Sequence, residues 1–207
     1  METNFSFLAL GDSYTIGESV PLHKSFPYQT IQLLRKKGFN FIAPEIVAQT
    51  GWTSGELKNA IEEYSFLYTY DFVTLLIGVN NQYRGYAIEA YEKEFAILLS
   101  RAILLANKTP EHVFVLSIPD YSKTTFAKDL DSDKISSEID QYNEVNKRIS
   151  DSFGVQYVDI TTFSREVTQD ASMTAADGLH PSEKVYTKWA SMLGRQVYNL
   201  LKAESVS

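Results

Sequence analysis

Five short stretches punctuate the chain: "FSFLAL" (5–10), "IAPEIVA" (42–48), "DFVTLLIG" (71–78), "HVFVLSIP" (112–119) and "VQYVDI" (155–160). Most are too continuously apolar for a strand with one wet face, and strands of that kind belong in a parallel sheet covered on both sides. Between them the apolar positions switch to a helical period. Leu57, Ile61 and Tyr64 fall at i, i+4 and i+7, behind a capping-box pair, Thr53 and Glu56. Ile88, Tyr91, Phe95, Leu98, Leu99, Ala102 and Ile103 form a second stripe, and Ile135, Ile139, Tyr142, Ile149 and Phe153 a third. A last helix would bury Val185, Trp189, Met192, Leu193 and Val197, with Pro181 in its first turn, where a missing N–H costs nothing. This alternation predicts an α/β chain with three-layer α/β/α architecture: a flavodoxin-like, doubly wound, five-stranded parallel sheet. No repeat and no Pro/Gly/Ser linker divides the 207 residues, so residues 1–207 are expected to form one domain.

Right-handed crossovers place every strand-to-helix loop of such a sheet at its carboxyl edge. Residues far apart in sequence can therefore meet if each follows a strand. Four loops do. The first strand runs into "GDSYTIGES", with Ser13 where the chain turns toward a helix. The second is followed by "QTGWTSGE", with Gly51 at the turn, and the third ends in "IGVNNQYRG". The fifth leads through a polar loop to "DGLHP", residues 177–181.

Acyl transfer uses these groups together. A serine hydroxyl becomes a nucleophile when an imidazole takes its proton, and the imidazole needs a carboxylate to fix its tautomer. Asp177 and His180 can make that bond within one turn, across a permissive glycine. Three donors could face an oxyanion: the Ser13 and Gly51 backbone N–H groups and the Asn80 side-chain amide. Trp52, Tyr83 and Tyr86 follow Gly51 and Asn80 closely and are candidates for the substrate pocket, with core packing as the alternative for each. Asp12, Asp120 and Asp159 also follow strands, but none lies within one turn of a histidine; Asp12 is better placed to hold the backbone of the first loop. Neither His23 nor His112 has an acidic residue one helical turn away in sequence, and both read as exposed or strand-edge residues. The charged segment 121–134 reads as a solvated loop.

Composition narrows the choice further. With no cysteine, thiolate nucleophiles and Cys-based metal sites are excluded. A net charge of −7 disfavours nucleic acid, whose binding rests on a basic face. The start, "METNFSFLALGDS", shows no basic segment and no long apolar run, so neither a signal peptide nor a membrane span is expected; the simple reading is cytoplasmic, with an exported form whose leader has been removed as the alternative.

The blocks "GDS" with Ser13, the glycine block with Gly51, "GxN" with Gly78 and Asn80, and "DxxHP" with Asp177 and His180 resemble those of the SGNH (GDSL-type) hydrolase family, in order and in strand context. The resemblance implies Ser13 as nucleophile, His180 as base, Asp177 as its orienting acid, and an oxyanion hole of Ser13, Gly51 and Asn80. It also implies small-molecule ester substrates (acyl esters, acetylated sugars or lipids) and no metal or organic cofactor. Asn81 stands where the family commonly has aspartate, and Tyr14 where a leucine often follows the serine. Three other readings use part of the pattern: a flavodoxin-like phosphate-binding module, which has no use for "DGLHP", a non-catalytic ligand-binding protein on the hydrolase fold, and an acyltransferase with the same triad.

Overall fold

A computed structural model describes residues 4–66, 69–167 and 170–205. Its five strands are β1 (Phe7–Gly11), β2 (Glu45–Ala48), β3 (Phe72–Leu76), β4 (Val113–Leu116) and β5 (Gln156–Val158). They pair in parallel, in the order β2-β1-β3-β4-β5. All five overlap the stretches marked by the sequence: β1 runs one residue further, to Gly11, and the other four are shorter than their stretches. At the carboxyl ends of β3, β4 and β5 the residues left over belong to loops, where the backbone leaves the ladder to turn. Burial follows position in the sheet. Every residue of the central strands β1, β3 and β4 is buried, whereas the edge strands β2 and β5 are only partly covered.

The helices are α1 (Ser13–Ile16), α2 (Phe26–Lys36), α3 (Ser54–Glu63), α4 (Val79–Tyr83), α5 (Ile88–Leu105), α6 (Ser132–Phe153), α7 (Thr161–Val167) and α8 (Glu183–Glu204). α2 packs on α8, and α3 and α6 each pack on α5, so the sheet is sandwiched between two helical layers. The expected stripes are the buried faces: Leu57 and Ile61 on α3, Tyr91, Phe95 and Leu98 on α5, Ile139 and Tyr142 on α6, and Trp189 and Leu193 on α8. Two expectations shift. Tyr64 lies beyond the end of α3, caps it in an extended conformation and is exposed. Pro181 precedes Ser182, the N-cap of α8, so it ends the loop rather than starting the helix. There it pairs with Thr174 in an antiparallel bridge.

The capping box of α3 is present in both directions. Glu56 N–H donates to Thr53 Oγ1, and Glu56 Oε2 accepts from Thr53 N–H at 2.8 Å. The same Glu56 carboxylate pairs with Arg84 at 3.3 Å, while the other arm of that guanidinium donates to the Gly51 carbonyl at 2.6 Å. The loop after β2 is thus tied to α3 on one side and to the segment after α4 on the other. Among the described residues no helix is long and apolar enough to cross a membrane.

Candidate active site

The switch point of the sheet lies between β1 and β3, where crossovers leave in opposite directions and open a crevice at the carboxyl edge. β1 delivers Asp12 and Ser13 to it. Asp12 caps α1, its Oδ1 accepting from Tyr14 N–H at 3.0 Å, which folds the chain back sharply and presents Ser13 at the start of the helix. Gly11 has no room for a side chain: a Cβ would stand 2.1 Å from Thr15 Oγ1 and 2.4 Å from the Leu76 carbonyl. Asp12 is 1% exposed, and burial pushes its carboxyl up to about 7, against backbone hydrogen bonds that lower it. Its Oδ2 has no partner among the described residues.

The other half of the site comes from the loop before α8. Asp177 Oδ1 accepts from Leu179 N–H at 2.9 Å and from His180 N–H at 3.0 Å, an Asx-type turn that needs only local chain. Gly178 takes φ +69° within it, the left-handed region that glycine tolerates best. The turn aims the carboxylate at its own histidine, so that Asp177 Oδ2 lies 2.7 Å from His180 Nδ1. A carboxylate there requires Nδ1 to carry the proton, leaving Nε2 as an acceptor. Nε2 lies 2.9 Å from Ser13 Oγ, in position to accept its hydroxyl proton. Burial raises the Asp177 carboxyl, but hydrogen bonds from Ser19, the Leu179 N–H and His180 outweigh it and hold the group well below the usual carboxylate range. Ser13 and His180 are buried, whereas the Asp177 side chain keeps 32% of its exposure.

Behind the imidazole stands Tyr14, its ring centroid 5.4 Å from that of His180 and 6.2 Å from that of Trp189. Tyr14 therefore backs the His180 imidazole and ties it to the core. Of the rival acids, Asp120 accepts from Ser122 N–H, Ser136 Oγ and Arg165 Nε, and Asp159 from the start of α7; neither contacts a histidine. His112 finds a sequence-distant acid, Glu204, at 2.6 Å, and stacks on Phe72. His23 is exposed.

Gly51 and Asn80 reach the same crevice. Gly51 takes φ +83° in a turn closed by the Trp52 N–H on the Gln49 carbonyl. Gly78 takes φ +128°, and a Cβ there would stand 2.6 Å from both Ile118 Cδ1 and Tyr91 Oη. That close approach starts α4 directly from the end of the sheet and brings Asn80 to the cleft. Asn80 donates one amide hydrogen to the Trp52 carbonyl at 3.0 Å, which leaves the other for a ligand. Among the described residues neither the Ser13 nor the Gly51 backbone N–H is engaged. Asn81 is buried and turns away: its Oδ1 accepts from Ser54 N–H at 2.9 Å and its Nδ2 donates to Ser54 Oγ at 2.7 Å, locking α4 to the start of α3.

These groups open into a cleft of about 130 Å³ lined by Ser13, His180, Gly51, Asn80 and a mainly apolar wall. Tyr83 belongs to that wall, but Trp52 and Tyr86, the other two aromatic candidates, do not. Trp52 is partly buried against the core, and Tyr86 points to solvent. The sequence reading missed Tyr121 and Phe126, which supply two more rings, with Phe126 and Tyr83 centroids 6.0 Å apart. Both come from the segment read as a solvated loop. Buried Asp120 organises that segment, and Thr125 Oγ1 and Phe126 N–H both donate to the Gly178 carbonyl at 3.1 Å. Three residues assigned to it, 132–134, instead open α6. Among the described residues no cluster of His, Asp or Glu could hold a metal ion.

A model of the GDSL-like lipase/acylhydrolase family matches residues 9–188. A multidomain esterase of Ruminococcus flavefaciens is 29% identical over 163 residues, covering 74% of this chain, which spans only 19% of that relative. Among solved structures, the acetylxylan esterase Axe2 from Geobacillus stearothermophilus superposes with a TM-score of 0.73 at 21% identity, over 95% of this chain and 96% of its own. The psychrotrophic esterase EstA from Pseudoalteromonas sp. gives 0.69 at 13% identity, over 95% and 98%. At these identities the structural likeness is one of fold.

Proposed function

Since the chain belongs to the GDSL-like lipase/acylhydrolase family, we propose that it is a serine esterase working through Ser13, His180 and Asp177. One observation carries this reading: hydroxyl, imidazole and carboxylate stand in series at 2.9 and 2.7 Å, beside a cleft with free donors. Ser13 Oγ attacks the ester carbonyl as its proton passes to His180 Nε2. The imidazolium is stabilised by Asp177, whose depressed carboxyl stays ionised throughout. The negative charge on the tetrahedral oxygen meets the Ser13 and Gly51 N–H groups and the second Asn80 amide hydrogen. His180 then gives its proton to the leaving alcohol, and water activated by the same nitrogen releases the acid from the acyl-enzyme.

The cleft also suggests the substrate. None of its lining residues is Lys, Arg, Asp or Glu, so a charged acyl group would be desolvated there without a counter-ion. At about 130 Å³ it is smaller than the roughly 300–1,000 Å³ of sites for drug-sized ligands. A short, neutral acyl group fits inside, with the alcohol portion lying over the exposed rings of Tyr83 and Phe126.

The test is hydrolysis of a series of p-nitrophenyl esters by the wild type and Ser13→Ala. Activity should be highest on the shortest acyl chains and drop by about 10³-fold or more in the variant, with the melting temperature unchanged. Comparable rates for the two proteins would end the proposal. Activity should also fall on acidification, because an imidazolium cannot accept the serine proton.

A further inference from the structure

The segment between α1 and α2 makes a second set of contacts that the triad does not require. After the helix the chain turns tightly, with Glu18 N–H on the Ser13 carbonyl and Val20 N–H on the Gly17 carbonyl. Gly17 and Ser19 both take left-handed backbone conformations, at φ +76° and +65°. For Gly17 this is ordinary; for a serine it is sparsely populated and persists only where surrounding contacts over-determine it. The contact that does so lies 158 residues away in sequence: Ser19 Oγ donates to Asp177 Oδ2 at 2.5 Å. The neighbouring Glu18 accepts from Thr50 Oγ1, next to Gly51. One dipeptide therefore touches both the turn that bears the triad acid and the loop that bears an oxyanion donor.

We propose that Ser19 is a positioning residue for this active site: its hydroxyl holds the oxygen of Asp177 that faces His180. The inference rests on the serine-esterase reading above. Asp177 Oδ1 is fixed by two N–H groups of its own turn, but among the described residues Oδ2 bonds only the imidazole and Ser19. The Asp177 side chain is partly open to water, and a mobile water on Oδ2 would compete with Nδ1 for its lone pairs. A hydroxyl anchored to the chain occupies the second lone pair in one direction, leaving the other aimed at the imidazole. It also draws charge from the carboxylate, so the imidazolium is stabilised only as far as proton return to the leaving alcohol allows.

Two substitutions separate the hydroxyl from the backbone. Ser19→Ala removes the hydroxyl and keeps the unfavourable φ; Ser19→Gly removes the hydroxyl and suits that φ. Both should lose roughly tenfold in kcat with KM within about twofold, since hydrogen bonds to charged groups are worth about that factor or more. In both, the low-field NMR resonance of the His180 Nδ1–H, which reports its hydrogen bond to Asp177, should move upfield or broaden as water takes the place of the serine hydroxyl. The inference is overturned if both variants keep kcat within twofold, or if only Ser19→Ala loses activity, which would place the effect in the backbone. An Nδ1–H resonance that stays put in both would overturn it too. Should the wild type hydrolyse no ester at all, the esterase reading fails by itself, and the Nδ1–H resonance alone still decides the role of Ser19.

Discussion

Asn81 stands where this family commonly carries aspartate, and its surroundings explain the change in terms that can be measured. Ser54 Oγ has one proton and donates it to Glu94. The hydroxyl must therefore accept from its other neighbour, and Asn81 Nδ2 supplies that donor at 2.7 Å in a site 1% exposed. In Asn81→Asp the carboxylate keeps the Ser54 N–H but turns its second oxygen on a hydroxyl with no proton to give. Losing that donor costs about 1–3 kcal/mol, and a buried, unpaired charge adds to it. The alternative is to take up a proton and imitate the amide, which for a carboxyl ionising near about 3.9 costs about 4 kcal/mol at pH 7 and about 1 kcal/mol at pH 4.5. The second route caps the first. Urea unfolding should show the variant less stable by about 3–4 kcal/mol at pH 7 but by only about 1 kcal/mol at pH 4.5. Adding Glu94→Ala frees the Ser54 proton for the new carboxylate, so a double-mutant cycle should show at least about 1 kcal/mol of favourable coupling. Equal destabilisation at both pH values, or strict additivity with Glu94→Ala, would refute the reasoning.

Two further outcomes follow from the site. Folding raises the Asp12 carboxyl from 3.8 to about 7, so between those values the folded chain holds a proton that the unfolded chain releases, and stability falls as pH rises. Asp12→Asn, which keeps an acceptor for Tyr14 N–H, should gain on the wild type between pH 4.5 and 7.5 by up to about 4 kcal/mol in urea midpoint titrations; parallel pH profiles would contradict this. Phe126→Ala opens one wall of the cleft while leaving Ser13, His180 and Asp177 untouched. It should lower kcat/KM for an acetyl ester only a few-fold and raise the octanoyl-to-acetyl ratio by about tenfold, equivalent to burying one or two further methylenes. An unchanged ratio would remove Phe126 from the acyl wall.

The sequence alone determined what depends on neighbours along the chain. Strand positions were legible because each strand is a run of apolar residues, and the capping box of α3 because Thr53 and Glu56 are three residues apart. The Asp177–His180 pair was legible for the same reason: the turn that joins them uses its own backbone N–H groups and one permissive glycine. Parallel topology then brought Ser13 to the same rim as His180, 167 residues away, because every strand in such a sheet ends there. Contacts between loops carry no period and no fixed spacing, and only the tertiary structure decided those. It placed Ser19 on Asp177, made Ser54 share its hydroxyl between Asn81 and Glu94, and folded a charged segment so that Tyr121 and Phe126 face the cleft while Trp52 and Tyr86 do not. A side chain at a crowded rim goes where its hydrogen bonds and packing can be satisfied together, and its partners there come from loops that the sequence keeps far apart.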